Sequence, residues 1–199
     1  MFGYVSVTID QCVKKTSNIK WKNEAGEYHY VDLSSVDINT HDIINTQLIN
    51  KDNAPSRAQQ IIEVNDILFG TTRPMLKRIC IVSKDYDNQI CSTGFCVLRS
   101  NLEIIRPKWL YYMMSTNKFY NYVENTQKGA SYPAITDNEV KDYLICIPTL
   151  EKQDEMISIL DKFENYTTSL SIGLPAEIEL RQQQYEYYRN KLLTFKELK

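Results

Sequence analysis

The feature that most constrains this chain is a change of hydrophobic period after Ile147-Pro148-Thr149. Beyond it, Gln153, Met156, Leu160, Phe163, Thr167 and Leu170 recur at alternating spacings of three and four, the seam of a helix that buries one stripe. The run Ser171-Ile-Gly-Leu-Pro interrupts the seam: Gly173 can end or kink a helix, and Pro175 suits the first turn of a new one. From Ile178 the pattern resumes through Arg181, Tyr185, Tyr188, Leu192 and Phe195. A short apolar seam is not stable on an isolated helix and needs a surface to cover it. Either both segments pack on the residues before them, or a projecting helix meets another helix. The long polar faces over 181–184 and 186–191 favour the second reading.

Before the change of period, the chain reads as short strands and turns. Tyr28–Leu33, Ile61–Phe69, Arg78–Ser83 and Gly94–Leu98 are rich in β-branched and aromatic residues, and Asn65-Asp66 and Asp87-Asn88 supply turn chemistry. Pro107–Tyr122 reads as a core helix, with Pro107 in its first turn and Leu110, Met113, Met114 and Tyr120 on its apolar face. The whole predicts an α+β (mixed α/β) domain over residues 1–149. A long helical region of coiled-coil type follows over 150–199.

Composition bounds the function. With 43% hydrophobic and 24% charged residues the chain is of globular type. No apolar run approaches the roughly 18–20 residues of a membrane span. The start, Met1 to Asp10, lacks a basic leader segment. These features predict a cytoplasmic protein with no membrane association. The five cysteines are odd in number and read as small buried hydrophobes of a reducing compartment. Cys91 and Cys96 are the closest pair, but no histidine lies near either, so no metal site is predicted. His29 and His41 read as surface or hydrogen-bonded residues. The net charge of −2 argues against nucleic acid until its distribution is considered. Residues 1–150 carry 16 basic and 16 acidic side chains, whereas 151–199 carry 7 and 9. From Ile67 to Lys84 stand Arg73, Lys77, Arg78 and Lys84 with no acid. Such a strip on a neutral domain can be a DNA footprint, and equally a solvated face.

Three runs carry chemistry suited to DNA. Thr71-Thr72-Arg73-Pro74 sets hydroxyls beside a guanidinium on a proline-restricted backbone, the alternative being that Arg73 pairs with Asp66 or another carboxylate. Ser56-Arg57-Ala58-Gln59-Gln60 offers groups that match guanine and adenine edges, or is a plain surface loop. Lys128-Gly129-Ala130-Ser131-Tyr132 has small residues that let a backbone approach a phosphate, or forms a turn into Pro133. Lys77 completes the basic strip, and Ser92-Thr93-Gly94 reads as a strand junction. Catalysis finds no support. There is no Pro-Pro pair and no glycine cluster of the kind an adenine methyltransferase uses. Glu139-Val-Lys141 and Glu197-Leu-Lys199 lack a companion acid, and no Ser/His/Asp or Cys/His arrangement stands out. The chain is therefore expected to be non-catalytic.

Several stretches in order carry a family resemblance. They are Tyr30-Val-Asp-Leu-Ser-Ser-Val-Asp37 with Ala54–Gln59, Val64-Asn-Asp-Ile-Leu-Phe-Gly-Thr-Thr-Arg-Pro74 with Cys91–Leu98, and Gly129-Ala-Ser-Tyr-Pro-Ala-Ile-Thr136. The series continues with Ile147–Gln153, Ile159–Phe163 and the tail from Gly173 to Phe195. This order resembles the target-recognition domain and following helical region of type I restriction–modification DNA specificity subunits, over nearly the whole chain. Two departures are local: Thr149 stands where a second proline is common, and Gly70 where a hydroxyl residue is common. The resemblance implies double-stranded DNA as ligand. It implies a modification (methyltransferase) subunit that uses S-adenosylmethionine to methylate adenine at N6, and a restriction subunit that uses ATP and Mg, with no cofactor in this chain. Family members usually carry two recognition domains and two helical regions in about twice this length, and half-sized members pair. The expected arrangement is thus a homodimer reading a two-part site. Its dimer or partner helix would use Leu160, Phe163, Leu170, Ile178, Tyr185, Tyr188, Leu192 and Phe195. About 24 residues from Pro175 onward would extend roughly 36 Å as helix, close to one turn of DNA. The alternative is a helical adaptor or anti-restriction decoy without productive reading.

Overall fold

A computed structural model describes residues 3–170 and 175–194, with side chains placed for 3–164 and 179–194. Among the described residues ten strands occur: β1 (Val5–Thr8), β2 (Val13–Lys14), β3 (Tyr28–Val31), β4 (Gln47–Ile49), β5 (Ala58–Ile62), β6 (Ile67–Gly70), β7 (Ile79–Ile81), β8 (Gln89–Ser92), β9 (Phe95–Ser100) and β10 (Leu144–Ile147). Between β9 and β10 lie α1 (Pro107–Met114), α2 (Asn117–Thr126) and α3 (Asp137–Lys141), and after β10 come α4 (Leu150–Leu170) and α5 (Pro175–Leu192). The strands form one sheet in the order β2-β9-β6-β7, a second in the order β4-β3-β8-β5, and the pair β1-β10. All neighbours are antiparallel except β3 and β8.

Strand β6 explains how these layers stack. All four of its residues are buried, and period-two alternation sends them to different cores. Ile67 and Phe69 face a cluster built with Trp109, Leu110 and Met114 of α1, Phe119 and Val123 of α2, and Val140 of α3. Leu68 faces the other way, into a cluster with Val31, Ile62, Cys91, Phe95 and Val97 that joins the two four-stranded sheets. Helices therefore cover one face of the first sheet, and the second sheet covers the other.

Two predicted elements are each divided in two. Ile61–Phe69 holds the end of β5, a turn and β6, because Asn65 takes a left-handed φ of 70° and the Asp66 carboxylate accepts the Glu63 N–H at 2.8 Å. Pro107–Tyr122 divides into α1 and α2 at Ser115-Thr116. There the Thr116 hydroxyl donates to the Met113 carbonyl and accepts the Phe119 N–H, so Thr116 caps a new helix rather than continuing the old one. Pro107 does open α1, and Leu110, Met113, Met114 and Tyr120 are buried.

The seam of α4 lies against this body. Gln153 and Leu160 are fully buried and Met156 nearly so. The polar seam position is accounted for, because Gln153 accepts the Arg106 N–H and donates to the carbonyls of Ile104 and Pro148. Ion pairs from Arg106 to Asp154 and from Lys108 to Asp161 flank it, and the buried Tyr112 hydroxyl donates to the Asp161 carboxylate at 2.6 Å with the Glu164 carboxylate 2.9 Å away.

The expected projecting helix takes a different course. Over its described residues α5 runs back along α4: Tyr188 stacks on Phe163 at 6.1 Å, Tyr185 is 9% exposed, and Leu192 and Leu193 join the cluster that holds Leu160. Apolar area that a lone helix would leave wet is buried within the chain. With 18 residues, α5 is roughly 27 Å long, shorter than the 36 Å span expected. Of the predicted seam, Phe195, the side chains of Thr167, Leu170 and Ile178, and the interruption at Gly173 fall outside the described residues.

The cysteines are free, and Cys12, Cys80, Cys91 and Cys96 are buried. Burial pushes the Cys12 thiol up to about 11 and that of Cys80 to about 12, so both behave as small apolar groups. Among the described residues no helix is long and apolar enough to cross a membrane.

Candidate nucleic-acid interface

The three polar runs singled out above meet along one edge of the fold, joined by backbone hydrogen bonds. The Thr93 N–H donates to the Arg57 carbonyl at 3.0 Å, and the Thr71 N–H donates to the Gly94 carbonyl at 2.8 Å. The Ile135 N–H donates to the Thr71 carbonyl and the Arg73 N–H to the Pro133 carbonyl. Lys128 and Ala134 exchange two bonds of 2.8 Å. Residues 57, 93–94, 71–73, 133–135 and 128 thus form one continuous ribbon.

The register of β6 on β9 dictates the middle of that ribbon. Gly70 pairs with Phe95, which brings Thr71 opposite Gly94. The buried Thr71 hydroxyl also donates to the Gly94 carbonyl, so its role is structural, whereas Thr72 stays half-exposed. Leu33 wedges the junction from below: a Cβ at Gly70 or at Gly94 would stand 3.1 Å from its side chain. Asp32 fixes Leu33 in turn by accepting the N–H groups of Ser34 and Ser35, a helix-capping contact. The small residues at 70 and 94 therefore come from close packing under the loops.

Above the wedge the chain presents cations. Arg73 and Lys77 both adopt the left-handed conformation, with φ of 49° and 54°, on either side of the tight turn Pro74–Leu76. Each such non-glycine residue costs about 1–3 kcal/mol and persists only where its surroundings hold it. The Arg73 guanidinium lies 4.4 Å over the Tyr132 ring, and the Lys77 ammonium 5.0 Å over the Tyr120 ring. Tyr132 is itself exposed. Among the described residues Arg57, Arg73 and Lys77 make no ion pair. The partner that sequence offered for Arg73 is engaged elsewhere: Asp66 is held by Arg99 through Nε and Nη2.

The remaining candidates differ in freedom. Ser56, Arg57 and Gln59 are exposed, with the Gln59 amide donating to the Ser56 carbonyl at 2.7 Å. Gln60 points inward, its amide bonded to the carbonyls of Ser92 and Phe95 at a bulge in the β5–β8 pairing. Gly129 has φ of 102°, and a Cβ there would stand 3.0 Å from the Tyr132 carbonyl. Ser131 is exposed. Lys128 pairs with Glu139 at 2.8 Å. That lysine and the Thr136 cap hold the Glu139 carboxyl down at about 2. The pair is solvent-exposed on the lysine side, so a phosphate can take the ammonium at little cost. Sequence placed Tyr132 among the candidates but not under Arg73, and read Tyr120 as a core residue rather than as the ring beneath Lys77.

The family described as the type I restriction modification DNA specificity domain matches residues 7–180. The specificity subunit of the type I restriction enzyme EcoR124I/EcoR124II from Escherichia coli is 38% identical over 93 residues, 47% of this chain and 23% of that protein. The crystal structure of the HsdS subunit from Thermoanaerobacter tengcongensis aligns at a TM-score of 0.77 and 35% identity, covering 84% of this chain and 44% of that one. A chain solved in a study of complex assembly and conformational transition of the type I R-M system aligns at 0.78 and 33% identity, covering 96% and 47%. The chain thus spans less than half the length of each of these relatives.

Proposed function

The chain belongs to the type I restriction–modification DNA specificity domain family, and from that premise we propose that it reads the sequence of double-stranded DNA on behalf of catalytic partner subunits. The observation that carries this reading is the backbone ribbon. It gathers the exposed cations Arg57 and Arg73 on one edge, without ion pairs among the described residues and with the Tyr132 ring beneath Arg73, while the exposed Lys77 stands across the Pro74–Leu76 turn over the Tyr120 ring. Cations and backbone N–H groups that meet phosphates fix the register on a duplex, and side chains that reach base edges read it. A guanidinium held in the fixed pose of Arg73 can bond bidentately to guanine.

In this reading residues 1–149 form the recognition unit and 150–199 the helical region for assembly. A second recognition unit, from a second copy or a related chain, completes a two-part site. Methylation of adenine at N6 and DNA cleavage belong to the modification and restriction subunits, which bring S-adenosylmethionine, ATP and Mg. The helical pair offers Phe163, Tyr187 and Tyr188 at its exposed surface for that assembly. The test is a salt-titrated selection from random duplexes with the modification subunit present. Enrichment of a defined two-part motif is expected. No enrichment at any salt would overturn DNA reading and leave an adaptor or decoy.

A further inference from the structure

The stretch from Val13 to Asn23 carries four lysines and no acid, in a chain with 25 acidic residues against 23 basic ones. Lys14, Lys15, Lys20 and Lys22 are all exposed, and among the described residues none makes an ion pair. Exposed lysines alone describe any solvated face. The course of the backbone sets two of these four apart.

After β2 the chain runs antiparallel beside β5. The Ile61 N–H donates to the Ser17 carbonyl at 3.0 Å and the Ile19 N–H to the Gln59 carbonyl at 2.8 Å, with Asn18 bridged to Gln60 between them. Trp21 then donates its indole N–H to the Ala58 carbonyl at 2.8 Å, and its ring meets Tyr28 edge-on at 5.8 Å. The segment therefore starts at the closed end of the sheet, where Lys14 stands opposite Arg99. It finishes against Ala58 and Gln59, next to Arg57. Lys20 and Lys22 flank the anchored Trp21, so they continue the ribbon. In its order Lys128, Arg73 and Arg57 are followed by these two lysines, and cations stand on both sides of Arg73. The nearest acid along the chain leaves them uncompensated, because Glu24 accepts the Tyr28 hydroxyl at 2.7 Å. Like charges gathered on one edge repel one another and attract a counter-charge. Lysine ammoniums are point charges suited to phosphate oxygens, which position a duplex without reading it.

We propose that Lys20 and Lys22 grip the phosphate backbone of bound duplex beyond Arg57, as a sequence-independent contact on the same edge. The grip presupposes the reading of DNA proposed above and divides its labour. Arg73 stands in the middle of the edge, and the lysines fix the duplex at one side of it. Lys14, at the other end of the segment, stays out of the contact.

The test uses the full chain with the modification subunit and a labelled duplex carrying the selected motif, with affinity read by fluorescence anisotropy across a salt series. The double variant Lys20→Gln/Lys22→Gln should lower the salt slope by about two. It should weaken binding roughly ten- to a hundredfold near about 0.1 M salt, equally for the motif and for a scrambled duplex, with the melting temperature of the free chain unchanged. Lys20→Arg/Lys22→Arg should keep the wild-type slope. Lys14→Gln removes the same charge from the closed end and should also leave the slope unchanged. A wild-type slope in the double glutamine variant, or a loss in Lys14→Gln as large per charge, would overturn the grip and leave the reading of DNA intact. If the wild type binds no duplex at any salt, the reading of DNA fails and the grip fails with it.

Discussion

At one end of β6, Asp66 is 1% exposed and bound by Arg99, which also reaches Glu63. At the other end, three residues past Gly70, Arg73 stands exposed over a tyrosine ring, and among the described residues it makes no ion pair. The strand between them is buried on both faces and lends both ends the same rigid support. The difference lies in how charge is treated. The Asp66 end neutralises its charges internally, because a buried carboxylate is tolerated only with a partner. The Arg73 end instead holds its cations in strained backbone conformations with their charge turned outward. A fold that stabilises exposed cations in this way leaves them available to an external anion.

The largest expected effect tests the closed end. Arg99→Met leaves Asp66 buried without its partner and should destabilise the protein by about 3–5 kcal/mol, read as a lower midpoint in urea unfolding. A loss under about 1 kcal/mol would mean that the network does not close that end.

The open end should respond in the opposite manner. Arg73→Asn keeps a residue that tolerates left-handed backbone, so unfolding should shift by no more than about 0.5 kcal/mol. DNA affinity should fall by about 1–3 kcal/mol. Relaxed preference at one base pair would assign Arg73 to a base, and a salt slope lowered by about one would assign it to a phosphate. Unchanged binding would remove Arg73 from the interface.

A smaller change should loosen the platform under Arg73. Gly129→Ala places a Cβ at φ of 102° and 3.0 Å from the Tyr132 carbonyl, at about 1–2 kcal/mol of strain. Because Tyr132 must shift, DNA affinity should fall with only a modest change in melting temperature, and calorimetry beside a binding titration separates the two.

The mildest prediction concerns acid. Glu139 is held down at about 2 from an ordinary 4.5. Its contribution to stability is therefore complete above about 4.5 and disappears as pH falls to about 2. In Lys128→Met the carboxyl should titrate nearer its ordinary value. The gap in melting temperature between wild type and variant should then narrow across that window. A gap independent of pH would contradict the pairing.

Much of this was legible in sequence because it depends on local chemistry. The Thr71–Arg73 run, the Lys128–Tyr132 run, the Pro107 helix start and the change of period at Ile147-Pro148 each follow from residues a few positions apart. What escaped depends on register. Pairing Ile67 with Leu98 sets Asp66 opposite Arg99, 33 positions away, so no local reading could choose Arg99 over Arg73 as its partner. The division of Pro107–Tyr122 rested on a side-chain cap at Thr116 that periodicity does not reveal. The course of α5 depended on Leu193, one position off the predicted seam. A seam shows that a helix will be covered, and tertiary packing decides by what.

Hydrogen exchange of the chain with and without duplex, in the presence of the modification subunit, tests most directly which end of β6 meets DNA. Slower exchange on duplex is expected at the amides of Thr72, Arg73 and Tyr132 and along the 57–59 run, with the turn at 63–66 unchanged. Protection at 63–66 instead, or at neither end, would contradict DNA contact at the Arg73 end.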